Sequence, residues 1–128
     1  MPNDYHSMAP EILRDFLSYH ETIRAHSPKT VDEYFLDLRN FFRYLKWMRQ
    51  PALHDKELDE IYIMDVDLNF VKSVTLTDIY GYMTYLSRDR VQHYNSEYSE
   101  RGINASSRAR KIATIRSFYN YLCNKAHL

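Results

Sequence analysis

The sequence predicts an all-α fold of four to five helices, and three observations point there. Among 128 residues there are only two Gly and four Pro, so few positions interrupt a helix. Leu, Ile, Tyr, Phe and Met recur three and four residues apart over long stretches, and no alternating strand pattern competes with that period. A chain of this length makes one domain able to bury a real core.

The elements follow in order. Residues 1–9 are expected to be a flexible, polar start, and residues 10–126 the folded domain. Pro10 suits a first helical turn, and Ile12, Phe16, Tyr19 and Ile23 then form a stripe, which predicts a helix from about Pro10 to Arg24. Leu13 and Leu17 widen its apolar face enough to meet two neighbours or a partner chain. Ser27-Pro28 opens the next helix, because Ser caps free N–H groups and Pro is tolerated at the first position. Val31, Tyr34, Phe35, Leu38, Phe41, Phe42, Leu45 and Met48 keep helical spacing until Pro51, so this is the longest and best-buried helix.

Pro51 to Ser73 breaks the rhythm and carries an acidic cluster from Asp55 to Asp67. It lacks the Gly and terminal Glu of a calcium-binding loop, so it is expected to connect elements, with a helical turn near Asp67–Lys72. Thr75-Leu-Thr-Asp78 has the form of a capping box opening a helix to about Arg88, with Leu76, Ile79, Tyr80, Met83 and Leu86 at helical spacing. Asp89 to Asn104 is polar and aperiodic and is expected to be a loop that orders on a ligand. The last helix begins at Ser106, taken as its N-cap, and carries Ile112, Ile115, Tyr119 and Leu122 on one face.

Net charge is formally zero, yet charge is unevenly distributed. Residues 101–128 hold six of the 17 basic residues and none of the 17 acidic ones. Ser107, Arg108, Arg110 and Lys111 crowd the first turn of the last helix, where unpaired N–H groups already favour an anion. A helix with a buried tail and a cationic head suits phosphate; an ordinary amphipathic helix with solvated charges is the plainer alternative. Lys29 and Thr30 stand at the opening of the second long helix, with Asp32 and Glu33 close behind. The single Cys123 forms no internal disulfide and is expected to pack, and no apolar run is long enough for a signal peptide or a membrane span. An intracellular, cytoplasmic setting without membrane contact follows.

Three blocks occur in order: Ser27-Pro-Lys-Thr-Val-Asp-Glu-Tyr-Phe-Leu-Asp-Leu-Arg-Asn-Phe-Phe-Arg-Tyr-Leu45, Val74-Thr-Leu-Thr-Asp-Ile-Tyr-Gly-Tyr-Met-Thr-Tyr-Leu86, and Ser106-Ser-Arg-Ala-Arg-Lys-Ile-Ala-Thr-Ile-Arg-Ser-Phe-Tyr-Asn-Tyr-Leu122. Together they resemble the N-terminal core-binding, SAM-like domain of the tyrosine recombinases, the phage integrase and Xer-type family. The resemblance implies a compact orthogonal bundle of four to five helices that forms one half of a C-shaped clamp on double-stranded DNA, opposite a separate catalytic domain, with the openings of the second and last helices approaching the major groove. It implies DNA contacts from Lys29, Thr30 and Glu33 on one helix and Ser107, Arg108, Arg110 and Lys111 on the other.

Arg110 projects from the apolar stripe and is the expected reader of a base edge, since guanidinium pairs bidentately with guanine. Lys29, Thr30, Ser107 and Lys111 are expected on phosphates. Arg108 and Arg116 either join them or pack their stems, and Glu33 either accepts from cytosine or faces water. The family's Arg, Lys, His and Tyr catalytic set belongs to the other domain, so this chain is expected to be a non-enzymatic piece of a larger recombinase. The tyrosines Tyr34, Tyr80 and Tyr119 read as core. No cofactor, metal or small-molecule substrate is implied; the implied partners are DNA, at the nucleoid, and further protomers in a tetramer, the first helix taking part. A helical protein-interaction module using the Asp55–Asp67 segment, without nucleic acid, is the alternative.

Overall fold

Helices account for every regular element in the computed structural model, which describes residues 4–88 and 105–125. They are α1 (Tyr5–Met8), α2 (Glu11–Ser18) continuing as a π-helical turn over Tyr19–Ile23, α3 (Pro28–Arg49), 3-10 turns at Pro51–Leu53 and Leu58–Glu60, α4 (Leu68–Lys72), α5 (Leu76–Ser87) and α6 (Ala105–Lys125). The polar stretch from Asp89 to Asn104, expected to be a loop, lies outside the described residues.

α3 is the central rod, packed by α2, α5, α6 and the Leu58–Glu60 turn. It begins where the sequence places it: the Ser27 hydroxyl accepts the Thr30 N–H at 3.1 Å, with Pro28 in the first turn. Phe35, Leu38, Phe41, Phe42 and Leu45 are fully buried, and burying side chains of this size stabilises by about 1.5–3 kcal/mol each. Two charged residues interrupt the apolar face. Lys46 is buried, donates to the Tyr62 carbonyl at 2.8 Å and pairs with Asp65; Asp37 belongs to the site described below.

α5 opens with the expected capping box: Thr75 Oγ1 accepts the Asp78 N–H at 3.1 Å, and Asp78 accepts the Thr75 N–H at 2.9 Å. Asp78 also accepts from Arg49 at 2.9 Å, which ties the start of α5 to the end of α3. Burial pulls the Asp78 carboxyl upward, but the Thr75 N–H and the Arg49 guanidinium outweigh it and hold the group below the usual range. The inner face of α5 differs from the expected stripe. Tyr82, Tyr85 and Leu86 are buried, whereas Leu76 and Tyr80 are each 61% exposed. Tyr80 stands about 100° round the helix from Ile79 and so turns outward. Tyr80 is therefore not core, while Tyr34 and Tyr119 do pack against it.

α2 keeps its expected face through Leu17 and departs from it at Ile23. Leu13, Phe16, Leu17 and His20 are buried, and Ile23 is 71% exposed. The departure at Ile23 falls within the π-helical turn, in which Arg24 N–H reaches back to the Tyr19 carbonyl at 3.1 Å and the added residue shifts the face; His20 stays on the Leu13, Phe16 and Leu17 face by ordinary helical spacing. The chain start is also less free than expected. Tyr5 and Ala9 are buried in the core, and the Tyr5 hydroxyl donates to Glu21.

The acidic cluster between α3 and α4 is mostly used locally. Glu57 and Glu60 form a capping box on their own 3-10 turn, Asp67 caps α4 by accepting the Phe70 N–H at 2.9 Å, and Asp65 pairs with Lys46. Among the described residues no group of three or more His, Cys, Asp or Glu is placed to hold a metal ion, and no helix is long and apolar enough to cross a membrane. Cys123 is exposed and does not pack as expected.

Candidate nucleic-acid interface

The interface is built on how α6 lies against α3. Asp37 meets Arg110, Lys111 and Thr114, and five residues further on Phe42 meets Phe118, ring centroids 5.9 Å apart. α6 therefore docks on α3 over the stretch from Asp37 to Phe42. Phe118 fixes this arrangement from below by packing edge-on against Phe16 of α2 at 5.3 Å.

α6 already includes Ala105, so Ser106 lies inside its first turn rather than capping it. Its inner face carries Thr114, Ile115, Phe118 and Leu122, all buried, with Ile112 and Tyr119 at the margins. Tyr119 donates its hydroxyl to the Val71 carbonyl at 2.6 Å. Burial pushes this phenol well above its ordinary pKa, which leaves it neutral and structural.

The cationic head of α6 is organised by a residue the sequence reading passed over. Asp37 is 2% exposed; its Oδ1 accepts from Arg110 Nη2 at 2.8 Å and from Lys111 Nζ at 2.9 Å. Thr114 Oγ1 lies 3.1 Å from both Asp37 Oδ2 and the Arg110 carbonyl, and shares its one hydrogen between them. The two cations are held differently. The Lys111 side chain is 13% exposed, whereas that of Arg110 is 47% exposed. Lys111 thus points inward, and Arg110 keeps an open edge despite its pair. Asp37 cancels one of the three charges on Arg108, Arg110 and Lys111.

The remaining candidates are at the surface or half-buried. Lys29 is exposed at the opening of α3, Thr30 receives a hydrogen bond from the Ser27 hydroxyl at 3.1 Å, and Glu33 is half-buried. Ser107 and Arg108 are half-buried in the first turn of α6, and Arg116 is exposed. Arg116 lines a groove with Arg24, Asn120 and Asn124, between α6 and the π-helical turn. Arg24 is a second cation there that helical spacing alone does not associate with α6. The structure joins Arg110 and Lys111 of α6 to Asp37 of α3, with Lys111 turned into the seam, sets Arg116 in the groove further along α6, and shows no contact between these residues and Lys29, Thr30 or Glu33 among the described hydrogen bonds and ion pairs.

Residues 71–126 match the phage integrase N-terminal SAM-like domain. Over 117 residues, 91% of this chain, the sequence is 43% identical to tyrosine recombinase XerC of Caldanaerobacter subterraneus subsp. tengcongensis. These matches support the tyrosine recombinase family, at its N-terminal SAM-like domain. It is also 31% identical over 121 residues, 94% of its length, to tyrosine recombinase XerC of Chlorobaculum parvum, and 31% identical over 116 residues, 91% of its length, to that of Myxococcus xanthus. The chain spans about 30% of the length of these relatives, the shares being 30%, 29% and 28%. No solved structure matches it significantly. The segment matched to the domain family contains α5 and α6, and hence Ser107 to Arg116, while the opening of α3 precedes it.

Proposed function

We propose that this chain, as a tyrosine recombinase domain, binds duplex DNA at a recombination half-site, the openings of α3 and α6 facing the major groove. The observation that carries the reading is the basic head of α6 docked on α3, with Arg110 anchored at one nitrogen by Asp37 and still half open to solvent. Lys29, Thr30, Ser107, Arg108 and Arg116 contact phosphates, which fixes register without reading sequence. Arg110 addresses a guanine edge, and Glu33 stands where it can accept from cytosine. Lys111 holds α6 to α3 and reaches DNA little or not at all. Strand exchange belongs to a catalytic domain, and full-length protomers assemble on the DNA as a tetramer; no residue of this chain takes a catalytic role. The cell interior, at the nucleoid, is the setting this requires.

The alternative of a protein-interaction module on the acidic segment has less support, because Glu57, Glu60, Asp65 and Asp67 are engaged within the fold. Fluorescence anisotropy on a labelled duplex at two salt concentrations tests the DNA reading. Binding is expected at low salt and weakens steeply as salt rises, and an Arg108→Ala/Arg110→Ala variant loses most of it. No binding at low salt, or undiminished binding by that variant, defeats the reading.

A further inference from the structure

A carboxylate at the centre of a DNA-binding face is out of place if charge attraction alone governs that face. Asp37 nevertheless sits there, 2% exposed, beneath the head of α6. A buried carboxylate persists only when its lone pairs are met by good donors, and Asp37 has three: Arg110 Nη2 at 2.8 Å, Lys111 Nζ at 2.9 Å and Thr114 Oγ1 at 3.1 Å. Lys111 and Thr114 lie within the seam and by themselves satisfy both oxygens. The bond to Arg110 goes to a side chain that is otherwise half in solvent. Guanidinium is a planar fork with five donors, so fixing one Nη leaves the rest of the fork available while removing rotation about its long stem.

We propose that Asp37 is a positioning residue for recognition: it orients the open edge of Arg110 toward a base and keeps Lys111 off the phosphates, trading non-specific attraction for discrimination. The inference rests on the DNA reading above and deepens it. A fixed fork reads a guanine edge in one geometry, whereas an untethered one is satisfied by any nearby phosphate. The second cation, drawn into the seam, adds nothing to the sequence-independent part of binding.

The test uses the 128-residue chain and the isosteric variant Asp37→Asn. A duplex pool randomised across one half-site supplies the preferred sequence, and affinities for that duplex and for a scrambled one are measured across salt. The unsubstituted chain prefers the selected duplex. Asp37→Asn binds the scrambled duplex at least as tightly, with a steeper salt dependence by about one released counterion, and discriminates about tenfold less, the worth of one bidentate base contact. In an Arg110→Gln background the same substitution lowers discrimination no further. A purely structural Asp37 would lower both affinities together and leave their ratio alone. Should Asp37→Asn fail to fold, Asp37→Asn/Lys111→Met removes the stranded cation as well; it is expected to show the same loss of discrimination without the steeper salt dependence. Intact binding with unchanged discrimination overturns the proposal for Asp37; absence of duplex binding by the unsubstituted chain overturns the DNA reading beneath it.

Discussion

His20 is 4% exposed, packed edge-on to Phe16 at 4.6 Å and to Tyr34 at 5.1 Å, with His26 4.9 Å away between ring centres. Its Nδ1 is buried without a hydrogen-bond partner. Burial first, then the charges of His26 and Arg24, push this imidazole down to about 4 from 6.5. The folded state therefore refuses a proton that the unfolded chain accepts. Stability attributable to this group is intact above pH 6.5 and falls as pH drops toward 4, by on the order of 1–3 kcal/mol in all. Urea titrations at pH 7 and pH 5 are expected to show that loss, and His20→Leu, which removes the titrating group without breaking a hydrogen bond, is expected to flatten it. An equal pH dependence in the variant would place the effect elsewhere.

At the scale of elements, the connection from α2 to α3 stores strain at one position. Ala25 has φ of 53°, the left-handed region, directly after the π-helical turn and beside the His26 N–H bond to the His20 carbonyl at 2.9 Å. Ala25→Gly relieves the clash of Cβ with the backbone and is expected to raise stability by about 0.5–1 kcal/mol, the gain being reduced by the greater freedom of unfolded glycine; thermal unfolding of the two proteins measures it. The same connection explains where the sequence was legible. α3 and α5 were readable because Ser27-Pro28 and the Thr75/Asp78 box are local signals, each complete within four residues. The end of α2 was not, since the π-helical turn that leaves Ile23 exposed has no mark in a 3.6-residue period. Asp37 was the other omission. Its partners lie 73, 74 and 77 residues away, so the charged head of α6 was visible but the carboxylate that organises it was not.

At the scale of the whole molecule, the interface depends on the core beneath it, because the side chain that holds the α3–α6 angle belongs to neither opening. Phe118 is fully buried and contacts Phe42 of α3 at 5.9 Å and Phe16 of α2 at 5.3 Å, while Phe16 also reaches Tyr121 at 5.5 Å. One aromatic cluster thus joins three helices, and α6 has no separate core of its own on which to stay folded. The bundle should then unfold as a unit. The single Trp47 reports on this from a distance: it lies near the far end of α3, against Tyr85 and His54, away from Phe118. In denaturant, Trp47 fluorescence and far-ultraviolet circular dichroism are expected to change together. Phe118→Ala, costing about 3–5 kcal/mol, is expected to move both midpoints by the same amount. A variant whose helical signal falls first while Trp47 stays native would mean that α6 detaches alone, its Asp37 contacts breaking with it, and that the other helices stay folded without it.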